Sequence, residues 1–160
     1  MALRRVVIIG VGNPFRGDDG AGIAVVHRLK GRFTSEVKLI EESGDGLLLL
    51  EAWRDASSVF VIDAMSSGGA PGTIRIVDAH KDLVPSKFFL CSTHAFGLTQ
   101  AINLARILDR LSAEFLIFGI EGERFEPGSQ MSPRVIAAVD EVATRIRYLV
   151  ETSVRLTPSG

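Results

Sequence analysis

Short apolar runs alternate along the chain with segments of helical period, and this alternation is its strongest structural signal. "RRVVIIG", "EVKLIE" and "SVFVIDA" are brief and rich in β-branched residues, as strands require; between them lie Gly20 to Leu29 and "GLLLLEAW", which suit helices. The order βαβαβ predicts a parallel, twisted sheet with helices on both faces and right-handed crossovers. "GTIRIVD" reads as an antiparallel or edge strand, because Pro71-Gly72 before it permits only a tight return. "STHAFGLTQAINLARILDRL" predicts a helix beginning around Ala95, and "AEFLIFGIE" a further, fully apolar strand.

The last helix has the sharpest start signal, with Ser132 as N-cap and Pro133 at the first helical position. Val135, Ile136, Val139, Val142, Ile146, Leu149 and Val150 fall on one face, which predicts packing on the sheet. The tail "TSVRLTPSG" is polar and is expected to fray. No internal repeat, low-complexity segment or linker divides the chain. The expectation is one three-layer α/β domain over residues 1–160, with its core at about 5–150 and a mostly parallel five-stranded sheet between helices.

Composition narrows the function classes. The chain has 160 residues, 46% of them hydrophobic and 23% charged, which is ordinary globular usage. A net charge of −1, with no basic run interleaved with aromatics, argues against a nucleic-acid partner. The single cysteine, Cys91, can neither close an intramolecular disulfide nor build a thiolate cage, which suits a reducing, cytoplasmic setting. The start "MALRRVVIIGVGNPFRGDD" has a basic head and an apolar stretch, but the stretch runs into Asn, Pro, Arg and Asp without a small-residue cleavage pattern, so no signal peptide is expected. No apolar segment approaches the ~20 residues a membrane-spanning helix needs, and no membrane partner is expected.

"GVGNPFRGDDGAG", Gly10 to Gly22, follows the first strand where a nucleotide-binding loop would lie. A dinucleotide fingerprint needs glycine at its first, third and sixth positions; Gly10 and Gly12 fit, but the sixth is Phe15. In the alternative frame Gly12 and Gly17 have P-loop spacing, but Asp18 and Asp19 stand where Lys and Ser or Thr belong. Two carboxylates repel a phosphate, so no nucleotide cofactor is expected. One acid can be a helix cap that stabilises by ~1 kcal/mol. Capping alone accounts poorly for a second acid beside it, and local sequence leaves its role open.

Ligands of open α/β sheets sit beyond the C-terminal ends of parallel strands. Asp19 follows the first strand, Asp63 ends the strand "SVFVID", and His94 lies just before a helix. A carboxylate ending an apolar strand must meet a proton, a cation or good donors. Two carboxylates and one imidazole form a partial set for a divalent cation with positions left open for a substrate or water. Taken singly, Asp63 is equally a turn cap and His94 a hydrogen-bonded first-turn histidine; convergence favours the metal reading. His27, within a helix, and His80, in "DAHKD", look solvated or structural. There is no G-x-S-x-G elbow and no H-E-x-x-H helix, and Cys91 lacks the local signature of a catalytic thiol, although His94 is near it in sequence.

Taken together, "GVGNPFRGDDGAG", "VIDAMSSGGAPGTIRI" and "STHAFGLTQAI" resemble the maturation endopeptidases of nickel-iron hydrogenases, in order and spacing, over roughly residues 5 to 150. The resemblance implies a twisted five-stranded sheet flanked by helices. It implies removal of a short C-terminal extension from the hydrogenase large-subunit precursor after nickel insertion. The nickel belongs to the substrate, and the implied metal-contacting and catalytic residues are Asp19, Asp63 and His94. Asp18 then becomes a capping or loop-ordering residue. One departure is "EESGDG", Glu41 to Gly46, where relatives carry an acid-Gly-Gly-small run after the second strand; Gly44 and Gly46 can preserve the tight turn. Two other classes fit the same residues: a non-catalytic metal-sensing module that binds such a partner, and a small-molecule hydrolase with a resident metal.

Overall fold

The computed structural model describes residues 4–34, 36–84 and 94–156. Strands β1 (Val6–Val11), β2 (Val37–Glu42), β3 (Ser58–Met65), β4 (Ile74–Asp78) and β5 (Glu114–Glu121) form one sheet in the order β2-β1-β3-β5-β4. Helices α1 (Ala21–Leu29), α2 (Gly46–Ala52), α3 (Leu98–Ile107) and α4 (Pro133–Leu156) flank it. β1 pairs in parallel with β2 and β3, and β3 with β5; β4 runs antiparallel along the outer edge of β5, as the Pro71-Gly72 return requires.

Alternation along the central strands supplies two cores. Val6, Ile8, Phe60, Ile62, Ala64, Phe118 and Ile120 face α1 and α4. Val7, Ile9, Val11, Val59, Val61, Phe115 and Ile117 face α2 and α3, where Trp53 meets the Phe115 ring edge-on. β1 and β3 are buried throughout, which explains why they read as continuous apolar runs.

Three expectations are corrected. α3 begins at Leu98 instead of Ala95, with the Gly97 backbone N–H donating to the Gln100 side chain. α4 continues through Leu156, into the tail expected to fray, and carries i,i+4 pairs Arg145–Glu141 and Arg147–Glu151 on its solvent side. Ile136, expected on the buried face of α4, is 41% exposed, while Ala138 and Ala143 are buried there instead. Cys91 lies outside the described residues. Among them, no helix is long and apolar enough to cross a membrane.

Candidate active site

The chain reverses its direction of travel across the sheet at β1: one crossover leads to β2 on one side, and the next to β3 on the other. The crevice beyond the C-terminal ends of β1 and β3 is therefore the topological switch point, where ligands of such sheets bind. Asp19 enters it from the loop after β1, and Asp63 from β3 itself.

That loop is shaped by its glycines. Gly12 has φ +138°, and a Cβ there would run into the Asp19 carbonyl. Gly10 and Gly22 let α1 lie directly on the sheet, since a Cβ on Gly22 would approach the Val11 carbonyl oxygen to 2.6 Å. The residues that resemble a phosphate fingerprint thus keep one of its roles, close packing of helix on strand, without a phosphate. Between them a 3-10 turn, Gly17–Gly20, buries both acids.

The adjacent aspartates have opposite environments. Asp18 is fully buried, and its carboxylate accepts hydrogen bonds from the backbone N–H groups of Glu123, Arg124 and Ser132 (2.8, 2.9 and 2.7 Å) and from the Ser132 hydroxyl (2.8 Å). Burial alone would raise its pKa; these donors together outweigh it and hold the carboxyl below its ordinary value. Asp18 is the loop-ordering residue expected, binding the first loop to the segment between β5 and α4. Ser132 does precede Pro133, but its hydroxyl donates to Asp18, so the residue expected as an N-cap by its side chain is itself held by the aspartate.

Asp19 has fewer donors. Its Oδ2 accepts from the Asn13 N–H at 3.1 Å. Burial raises its pKa, and neither that bond nor the positive charge of Arg16 restores the ordinary value. Arg16 itself is anchored through Nε to the Phe125 carbonyl at 3.1 Å. Asp63 is more extreme. It is 4% exposed, and burial, then the negative charge of Asp19, push its carboxyl well above the usual range; the Ala64 N–H works only partly against them. The fold thus brings Asp19 and Asp63 into electrostatic contact in a desolvated crevice.

His94 stands on the loop before α3, half-buried, with Nε2 3.3 Å from the Ser43 hydroxyl. The Gly46 N–H donates to the Phe96 carbonyl at 2.8 Å, and Gly46 leaves no room for a Cβ against the Phe96 ring. The departing "EESGDG" segment therefore still makes a tight turn, with Gly44 at φ +109°, and seats the histidine loop at the end of β2. Asp45 caps α2 through the N–H groups of Leu47 and Leu48. Among the described residues, no three His, Cys, Asp or Glu side chains are gathered closely enough to hold a metal ion. Asp63 is close enough to Asp19 to feel its charge, and His94 stands on a separate loop, beside the turn that follows β2. His27 pairs with Glu41 on the surface and His80 bonds the Ser112 carbonyl at 2.7 Å, so both are structural.

A family model described as hydrogenase maturation protease matches residues 23–148. The chain belongs to the hydrogenase maturation protease family. Its membership makes it a peptidase, a hydrolase of peptide bonds. The hydrogenase expression/formation protein HoxM of Azotobacter vinelandii is 31% identical over 163 residues, covering 96% of this chain and 76% of its own length. The hydrogenase 2 maturation protease of Escherichia coli (strain K12) is 26% identical over 96% of both chains. Among solved structures, the hydrogenase maturating endopeptidase HybD from E. coli shares the fold, with a TM-score of 0.75 at 20% identity over 93% of each chain. The NiFe hydrogenase maturation protease HybD from Thermococcus kodakarensis superposes at a TM-score of 0.69 with 25% identity, over 91% of this chain and 98% of its own.

One buried acid of this maturation protease was not singled out from sequence. Glu121 ends β5 and is 2% exposed, with its carboxylate bound to Ser67. The signal was present: "FLIFGIE" ends in an acid after an apolar run, just as "SVFVID" does.

Proposed function

We propose that this peptidase removes the C-terminal extension of a nickel-iron hydrogenase large-subunit precursor after nickel insertion, reading the substrate-borne nickel through Asp19, Asp63 and His94. The observation that carries this reading is the burial of two acids from separate elements at the switch point, Asp19 after β1 and Asp63 on β3, with the charge of Asp19 acting on Asp63. Such a pair is poorly satisfied by the protein's own groups. A dication can take the place of the proton that burial holds on Asp63 and balance the charge of both acids, and oxygen donors with an imidazole suit nickel.

The division between the aspartates follows from their partners. Asp18 is saturated by backbone donors and has no reason to bind a cation, whereas Asp19 and Asp63 together lack compensation. His94 approaches from a different loop, so a metal carried by the substrate can complete the set as the precursor docks. A scissile bond held beside that metal is then positioned for attack by water. A reducing, cytoplasmic setting suits the chain's single cysteine, Cys91.

The test is a processing assay on nickel-loaded and nickel-free precursor, read as the precursor's C-terminal mass. Loss of the extension only from the loaded form is expected, with Asp19→Ala, Asp63→Ala and His94→Ala slowed about 100-fold or more. Equal processing of the nickel-free form would remove the metal-reading role. A cognate precursor that binds but keeps its full mass would replace the endopeptidase with a binding module. Metal co-purifying with the isolated chain would favour a resident-metal hydrolase.

A further inference from the structure

β5 lies beside β3, and their parallel register sets Asp63 opposite Gly119 and Met65 opposite Glu121. Asp63, Met65, Gly119 and Glu121 therefore share one face of the sheet at its C-terminal edge. Gly119 offers no side chain beside Asp63; a Cβ there would lie 2.8 Å from the Met65 sulfur, so the thioether occupies that space. One pleat further out, Glu121 is buried, and it is engaged by the loop that leaves β3. Oε1 accepts the Ser67 N–H at 2.9 Å, and Oε2 accepts the Ser67 hydroxyl at 2.7 Å.

The main chain of Glu121 holds the other end of the same loop, its N–H donating to the Thr73 carbonyl and its carbonyl accepting the Gly72 N–H. One residue thus grips the β3–β4 connection at both ends. Residues 66–70 are exposed and begin immediately beyond Met65, the last residue of the strand that carries Asp63. A buried carboxylate is a costly tether for an exposed loop, because its desolvation must be offset by the bonds it makes. Its value is directional, since two bonds from one serine fix both the position and the orientation of the chain four residues beyond Asp63.

We infer that Glu121 is a positioning residue for the processing reaction: through Ser67 it holds the end of β3 and the adjoining loop in the arrangement that the precursor docks against. This assignment rests on the reading under Proposed function. Glu121 acts through Ser67 and does not itself touch the reacting bond, so its loss weakens docking and spares the chemical step.

The experiment measures KM and kcat for nickel-loaded precursor with the full chain and with Glu121→Ala, Glu121→Gln and Ser67→Ala, alongside amide exchange at residues 66–69. Glutamine can accept the Ser67 N–H through its oxygen and donate to the hydroxyl through its nitrogen, so it preserves the tether without the charge. Glu121→Ala is expected to raise KM about ten-fold with kcat within about two-fold, and to speed exchange at Ser67. Glu121→Gln should restore KM to near the wild-type value. Ser67→Ala, an exposed substitution that leaves the core untouched, should raise KM by a smaller factor. Wild-type KM in both Glu121→Ala and Ser67→Ala overturns the assignment. So does a Glu121→Gln variant as impaired as Glu121→Ala, or a loss confined to kcat. If Glu121→Ala does not fold, an unchanged KM in Ser67→Ala overturns it alone. Absence of processing by the wild-type chain would instead overturn the function proposed above, and this assignment with it.

Discussion

Asp18 and Asp63 are both buried aspartates, yet ionisation of one supports the fold and ionisation of the other opposes it. Folding lowers the pKa of Asp18, so the folded state holds fewer protons at this site than the unfolded state does. Its stabilisation is complete above the ordinary value of 3.8 and is lost as pH falls through the lowered folded pKa. Asp18→Ala is expected to cost roughly 3 kcal/mol at neutral pH, by leaving the Glu123, Arg124 and Ser132 donors unpaired, as chemical denaturation would measure. Asp63 has the opposite sign. The folded chain keeps a proton that the unfolded chain releases, so this residue's contribution to stability falls as pH rises from 3.8 through the raised folded pKa. Asp63→Asn should therefore be more stable than the wild type at neutral pH, with the gain shrinking toward pH 4, while losing nickel-dependent processing. A gain that does not change with pH would show that Asp63 is ionised in the free protein.

At the scale of elements, α1 depends on contacts between backbones. Gly10 and Gly22 allow β1 and the first turn of α1 to meet without side chains between them, and that approach sets where the preceding 3-10 turn carries Asp19. Gly22→Ala would force a methyl against the Ile62 and Val11 carbonyls; a loss of about 3 kcal/mol is expected in denaturant titration, together with loss of processing as Asp19 shifts. α2 is held in a different way, by a side-chain cap. Asp45→Ala removes the acceptor for the Leu47 and Leu48 N–H groups, and about 1 kcal/mol is expected to be lost, again by denaturant titration. Element identity was legible because period and punctuation agree: "VVIIG" and "SVFVID" cannot be amphipathic helices, and Ser132-Pro133 marks a helix start. The boundaries were less legible. His94 to Gly97 has the composition of a helix entry, but contact of Phe96 with Gly46 keeps it as a loop. The end of α4 reads as a polar tail, yet a helix can propagate through polar residues once its preceding turns are docked.

For the molecule as a whole, one sheet serves both cores, so neither helical layer can leave without exposing strands that the other layer also needs. The expected consequence is a single cooperative unfolding transition. Trp53, the one tryptophan, reports on the α2–α3 layer, and its fluorescence should change together with far-UV circular dichroism, to which the long α4 contributes on the opposite face. Separate midpoints would divide the chain into two independent folding units.

The sequence by itself determined the order and type of the elements, the parallel sheet with its antiparallel edge, and the identity of Asp19, Asp63 and His94 as candidates. These follow from local period, turn chemistry and the rule that strand ends carry ligands, all of which can be read along the chain. Only the tertiary structure decided what each acid does. Asp18 is saturated by donors more than a hundred residues away, Asp63 is raised by burial and by the charge of Asp19, and Glu121 is directed to Ser67 across the sheet. A carboxylate's pKa and partners depend on what surrounds it in three dimensions, and for these residues most of those surroundings come from distant parts of the chain.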